Sequence, residues 1–166
     1  MIQGLIFDKD GTLFDFNATW GAWAGMMIAQ EAAGDPDRMA QLADAMGYDL
    51  AAKKFLPGSV VIASTVEETA AAMLSALPGE TLDTLIPRMN AAAMKVDQIA
   101  AVPLIPFFDD LKSRGLRLGI AHAGRAAGMT TIGVLTGPAL KEELSPLADV
   151  VLPNIGHVPD WLDAQP

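Results

Sequence analysis

The sequence predicts an α/β fold interrupted by an all-helical block, and three observations predict it. A continuous apolar run near the N-terminus, Leu5-Ile6-Phe7, ends directly in acidic residues. Residues 17 to about 101 carry helical spacing almost throughout. Strand-like runs return only after about Val102. The expected domains are therefore a discontinuous α/β core over residues 1–15 and 102–166, and a helical insertion over residues 16–101.

The first run reads as a buried strand because it is continuous rather than alternating. In the insertion, Asn17 is the expected N-cap of a helix through Trp20, Trp23, Met27 and Ile28 that Gly34 ends. The two tryptophans are expected as core anchors. Asp35-Pro36 opens the next helix, with Met39, Leu42, Ala43 and Met46 on one face and Gly47 closing it. Residues 55–64 contain Pro57-Gly58 and read as a loop. Thr65-Val66-Glu67-Glu68 is a capping box for a helix through Met73, Leu74 and Leu77, stopped by Pro78-Gly79. A last helix is expected from about Thr81 to Ala100, kinked near Pro87. Lys53 and Lys54, the adjacent cations of this block, read as a solvated helix face, with contact to a substrate anion as the alternative.

In the final third, Pro106 starts a helix through Phe107, Phe108 and Leu111 that Gly115 terminates. Residues 116–121, 130–135 and 149–152 read as strands, and 158–164 as a terminal helix packing Trp161 and Leu162. His157 is expected to cap or pack near that helix.

Composition narrows the function. Half of the 166 residues are hydrophobic (51%), yet no apolar run approaches the length of a membrane span. Asp8 and Asp10 interrupt any signal-peptide core, and cysteine is absent, so a reducing cytoplasmic setting is expected. Twenty acidic against eleven basic residues, a net charge of −9, argue against a nucleic-acid partner. With so few cations, any anionic ligand would have to be attracted locally rather than by the overall charge.

Asp8 and Asp10 are the most informative residues. They stand one residue apart at the C-terminal end of the first strand, where open α/β sheets place their ligands. Two carboxylates so close repel unless a cation lies between them or one is protonated. A plain hairpin is the competing reading, since Asp10-Gly11 is a good two-residue turn and Leu13-Phe14 can form a returning strand. An EF-hand is excluded: its glycine belongs at loop position six, and position twelve counted from Asp8 is Thr19 rather than Glu. A receiver-type phosphoacceptor Asp remains open but does not explain the D-x-D-G-T spacing.

Phe7-Asp8-Lys9-Asp10-Gly11-Thr12-Leu13 resembles the first motif of the haloacid dehalogenase (HAD) superfamily of phosphohydrolases. The resemblance implies a HAD-like Rossmannoid parallel-sheet core with an inserted α-helical cap that covers the active site. It implies that Asp8 is the nucleophile forming an aspartyl-phosphate, and that Asp10 protonates the leaving oxygen and then deprotonates the hydrolytic water. Asp8 and Asp10 would hold Mg²⁺, while Lys9, Gly11 and Thr12 would bind phosphate, with the Thr12 hydroxyl pinning the loop. The partner implied is a small phosphorylated metabolite. Residues 124–137 and 148–152 resemble the end of phosphatases of the phosphoglycolate phosphatase type.

The middle of the core departs from that pattern. In the family a strand like 116–121 ends in Thr or Ser, a Lys follows, and a later Gly-Asp strand end adds acidic metal ligands; here Ala121 leads into His122-Ala123-Gly124-Arg125. His122 reads as a loop residue and Arg125 as a helix-surface residue. Parallel neighbouring strands need a crossover of roughly a dozen residues. Only residues 122–129 separate the strands at 116–121 and 130–135. Either those strands are not parallel neighbours or residues between them are missing, and the second is expected: a truncated core.

Two functions follow. The first is a Mg²⁺-dependent phosphatase for a small, phosphoglycolate-like phosphomonoester. The alternative is an inactive HAD remnant that binds metal or phosphate weakly or serves in an interaction, with homodimerisation over the exposed core.

Overall fold

The computed structural model describes residues 2–120 and 129–165. The expectations for His122, Gly124 and Arg125 lie outside the described residues. The chain is mixed α/β and divides into two compact units, one formed by Met1–Phe16 with Gln98–Pro166, the other by Asn17–Asp97.

In the first unit, β1 (Gly4–Phe7) pairs in parallel with β4 (Arg117–Ile120), and β5 (Ile132–Val134) pairs in parallel with β6 (Val150–Leu152). The two ladders are separate, so the single parallel sheet expected of the core is not formed among the described residues. β4 and β5 are therefore not hydrogen-bonded neighbours. Strands that are not parallel neighbours were one of the two arrangements the short 122–129 connection allowed. The crossover from β5 to β6 carries a short helix, α7 (Lys141–Leu144).

Register assigns the faces. Leu5 lies opposite Leu118 and Phe7 opposite Ile120, and Leu5, Phe7 and Leu118 join the core. That core also holds Leu13, Val134 and Ile155, together with Phe107 and Leu111 from α6 (Leu104–Ser113) and Val158 from α8 (Val158–Asp163). Phe7 meets the rings of Phe107 and Phe108 edge-on, each at 5.8 Å between centroids. Ile6, on the opposite face, is 51% exposed. The apolar run is thus not a strand buried on both sides. A ladder of two strands with α6 on one face leaves the other face to solvent.

The second unit is helical. Its long helices are α1 (Ala22–Ala32), α2 (Pro36–Met46), α4 (Val66–Leu74) and α5 (Leu82–Ala93). Their apolar faces bury Met27, Ile28, Leu42, Met46, Met73, Leu85 and Met89 almost completely. Four of these seven are methionines, whose unbranched chains fill irregular gaps between helices. Trp23 is buried and donates its indole N–H to the Met89 carbonyl at 3.3 Å, as fits a core anchor. Asp35 caps α2 through the amides of Asp37 and Arg38, and Gly47 ends it with φ +60. Thr65 and Glu68 form the reciprocal capping box of α4.

Several local elements differ from those the sequence predicts. Asn17 does not cap α1; its side-chain oxygen accepts the Phe55 amide at 3.2 Å, and residues Asn17–Gly21 form a π-helical turn. Ala33, not Gly34, takes the first left-handed position after α1, with φ +51. α4 ends at Leu74 and α5 at Ala93, short of Leu77 and Ala100. The 55–64 segment is not wholly loop, because Ser59 caps a helical turn, α3 (Val60–Ala63). Lys53 and Lys54 stand on a small hairpin rather than a helix face. There β2 (Tyr48–Asp49) pairs with β3 (Lys54–Phe55), closed by a turn in which Lys53 has φ +53.

Candidate functional site

Asp8 is the first residue beyond β1, so the strand delivers its carboxylate at the C-terminal edge of a parallel ladder, and its Oδ1 atom is buried. The chain then turns tightly. The Lys9 carbonyl accepts the amides of Thr12, Leu13 and Phe14 at 3.4, 3.0 and 3.1 Å, and the Gly11 amide donates to the Phe14 carbonyl at 2.8 Å. Phe14 bridges both Asp10 and Ala100 instead of leading a returning strand, so the plain two-residue hairpin is not formed. Gly11 sits at φ +78, a region open to glycine and costly for other residues.

Lys9 does not stand free for an anion. Its ammonium lies 3.3 Å from Asp10 Oδ1 and 3.3 Å from Gln98 Oε1, above the Phe14 ring. A substrate phosphate would have to compete with Asp10 for that charge.

The hydroxyl that pins the loop is one the sequence reading missed. Thr136 Oγ1, just past β5, donates to the Gly11 carbonyl at 2.8 Å, and the Thr136 carbonyl accepts the Phe16 amide at 3.2 Å. Beside it the backbones of Gly11 and Gly137 touch: a Cβ on Gly11 would lie 2.7 Å from the Gly137 Cα. The C-terminal ends of β1 and β5 are thereby held together although they belong to different ladders. The only sequence signal was the Thr136-Gly137 pair closing a strand, which by itself says nothing about its partner.

Asp8 and Asp10 supply hard oxygen donors of the kind Mg²⁺ takes, and Mg²⁺ commonly uses one or two carboxylates with water and phosphate completing the shell. The pair fits that ion as a partial ligand set. Among the described residues no group of three or more acidic or histidine side chains stands together. His157 is engaged elsewhere, with Nδ1 3.2 Å from Asn154 Oδ1 at the start of α8.

In the helical unit, an open groove of about 610 Å³ is lined by Asn17, Gly21, Gly25, Met26, Tyr48 and Lys53, among others. Tyr48 forms part of its wall and donates its hydroxyl to the Gly21 carbonyl at 2.8 Å. Burial pushes the Tyr48 phenol above its ordinary pKa, and the adjacent Asp49 carboxylate adds to the effect. Among the described residues no helix is long and apolar enough to cross a membrane. Comparison with protein-family models, curated proteins and solved structures gives no match.

Proposed function

We propose that the chain is a HAD-type, Mg²⁺-dependent phosphatase for a small phosphomonoester, with Asp8 as nucleophile and Asp10 as general acid and base. One observation carries the reading: Asp8 leaves the end of a parallel strand with one carboxylate oxygen buried, and Asp10 follows two residues later on a backbone-locked turn. Bound Mg²⁺ would supply charge neutralisation for the approach of a carboxylate to a phosphate dianion. Asp8 would attack phosphorus as the ester P–O bond breaks, and Asp10 would give its proton to the departing alkoxide. Asp10 would then take a proton from the water that cleaves the aspartyl-phosphate. Gly11 leaves room for close backbone approach.

The Lys9–Asp10 pairing and the two-carboxylate ligand set also favour the second reading, an inactive relative that holds metal or phosphate weakly. Hydrolysis of an aryl phosphate with Mg²⁺ separates the two. The phosphatase reading expects turnover that falls by on the order of 10³ or more in Asp8→Asn. Equal rates for the two proteins, with no beryllofluoride retained on Asp8, defeat it in favour of the remnant.

A further inference from the structure

We infer that Thr136 is a positioning residue for the Asp8–Asp10 turn, an inference that rests on the phosphatase reading. The turn has two kinds of restraint. The internal ones run from Lys9 to Phe14 and are local: three amides converge on the Lys9 carbonyl. They shape the turn but do not fix its tilt against the rest of the unit. Its tilt is fixed on one side by residues 99–101, where the Asp15 amide donates to the Ile99 carbonyl at 2.8 Å and the Ala101 amide to the Leu13 carbonyl at 2.9 Å, and on the other by two bonds to residue 136. Its hydroxyl holds the Gly11 carbonyl at 2.8 Å, and its carbonyl holds the Phe16 amide at 3.2 Å, so one residue grips the turn on both sides of its closure.

The two bonds are chemically separable. The carbonyl bond survives any substitution at 136, whereas the hydroxyl bond needs Thr or Ser. Gly137 adds a steric stop, because its Cα already meets the space above Gly11. With the hydroxyl gone, the Gly11 carbonyl loses its side-chain partner and the Gly11–Thr12 peptide keeps only the long 3.4 Å bond from the Thr12 amide to the Lys9 carbonyl, so that peptide and Asp10 beside it are held less firmly. Misplacement of a reacting group by about 1 Å costs up to on the order of 10² in rate.

The experiment compares Thr136→Val and Thr136→Ser with the wild type, reading kcat and KM for aryl phosphate hydrolysis and amide hydrogen exchange in the same proteins. In Thr136→Val we expect kcat to fall about tenfold or more with KM within about twofold. Exchange at the Gly11 and Phe14 amides should quicken about tenfold while the amides of Met27 and Leu85 stay unchanged. Thr136→Ser should restore both readouts. A uniform loss of protection would mark a merely structural role and overturn the inference. So would a Val variant with kcat within twofold of wild type, or a Ser variant as poor as Val. Absence of turnover in the wild type overturns the phosphatase reading itself, and this inference with it.

Discussion

Arg88 holds Glu31 with two parallel hydrogen bonds, Nε to Oε1 at 3.0 Å and Nη2 to Oε2 at 2.9 Å, joining α5 to α1. The Glu31 side chain is only 8% exposed, and the same guanidinium reaches Glu80 at 3.0 Å. A planar fork is required to serve both carboxylates at once. The Arg88 pKa is raised accordingly, first by the Glu31 hydrogen bonds and then by those to Glu80.

Arg88→Ala should destabilise the protein by about 2 kcal/mol, because a nearly buried carboxylate loses its partner; the partial exposure of Arg88 keeps the loss below that of a fully buried pair. Arg88→Lys should recover less than half, since one ammonium cannot bond both Glu31 oxygens and reach Glu80. Urea unfolding midpoints of the two variants check this. Equal stability of the Lys variant and wild type would contradict the fork argument.

Gly11 and Gly137 touch, but asymmetrically. A methyl on Gly11 meets the Gly137 Cα at 2.7 Å and must also sit at φ +78, whereas a methyl on Gly137 finds its nearest neighbour at 3.6 Å. Gly11→Ala should therefore cost about 2–3 kcal/mol and Gly137→Ala under about 1 kcal/mol. Thermal melts of the pair suffice, and equal costs would show that the two backbones do not abut as described.

Tyr48 makes stability depend on alkaline pH. Its folded pKa is raised above the ordinary value near 10, so its contribution is complete below that pH and is lost as pH rises through the folded value. Tyr48→Phe forfeits the bond to the Gly21 carbonyl, at a cost of about 1 kcal/mol near pH 8, but carries no phenol to ionise. The stability gap between the two proteins should narrow as pH rises beyond about 10. A gap constant from pH 8 to 11 would rule out the buried phenol as the titrating group.

Much of the helical unit was legible because its signals are local. Asp35, Pro36 and Gly47 bracket α2 within thirteen residues, and Thr65 with Glu68 opens α4 within four. The β2–β3 hairpin was not legible. Two residues on each strand offer no alternation to read, and Phe55 finds its place through Tyr48, its ring 5.4 Å away, and Asn17. Helix ends were overdrawn beyond Leu74, where Ala76 and Leu77 continue the apolar spacing up to Pro78-Gly79, and beyond Ala93, where no Gly or Pro follows before Pro103.

The sequence by itself determined the alternation of strand and helix, the position of Asp8 and Asp10 after the first strand, and the presence of a turn at Asp10-Gly11. Each depends on groups within a few residues, where covalent spacing dictates what meets. Tertiary structure alone decided that Ile6 faces solvent, that the described strands of the first unit form two ladders rather than one sheet, and that Lys9 spends its charge on Asp10 and Gln98. It alone brought Thr136 to Gly11 across 125 residues. Such a bond depends on where two strand ends are carried by the packing of Phe7, Phe107 and Val134, and residue spacing carries no record of that.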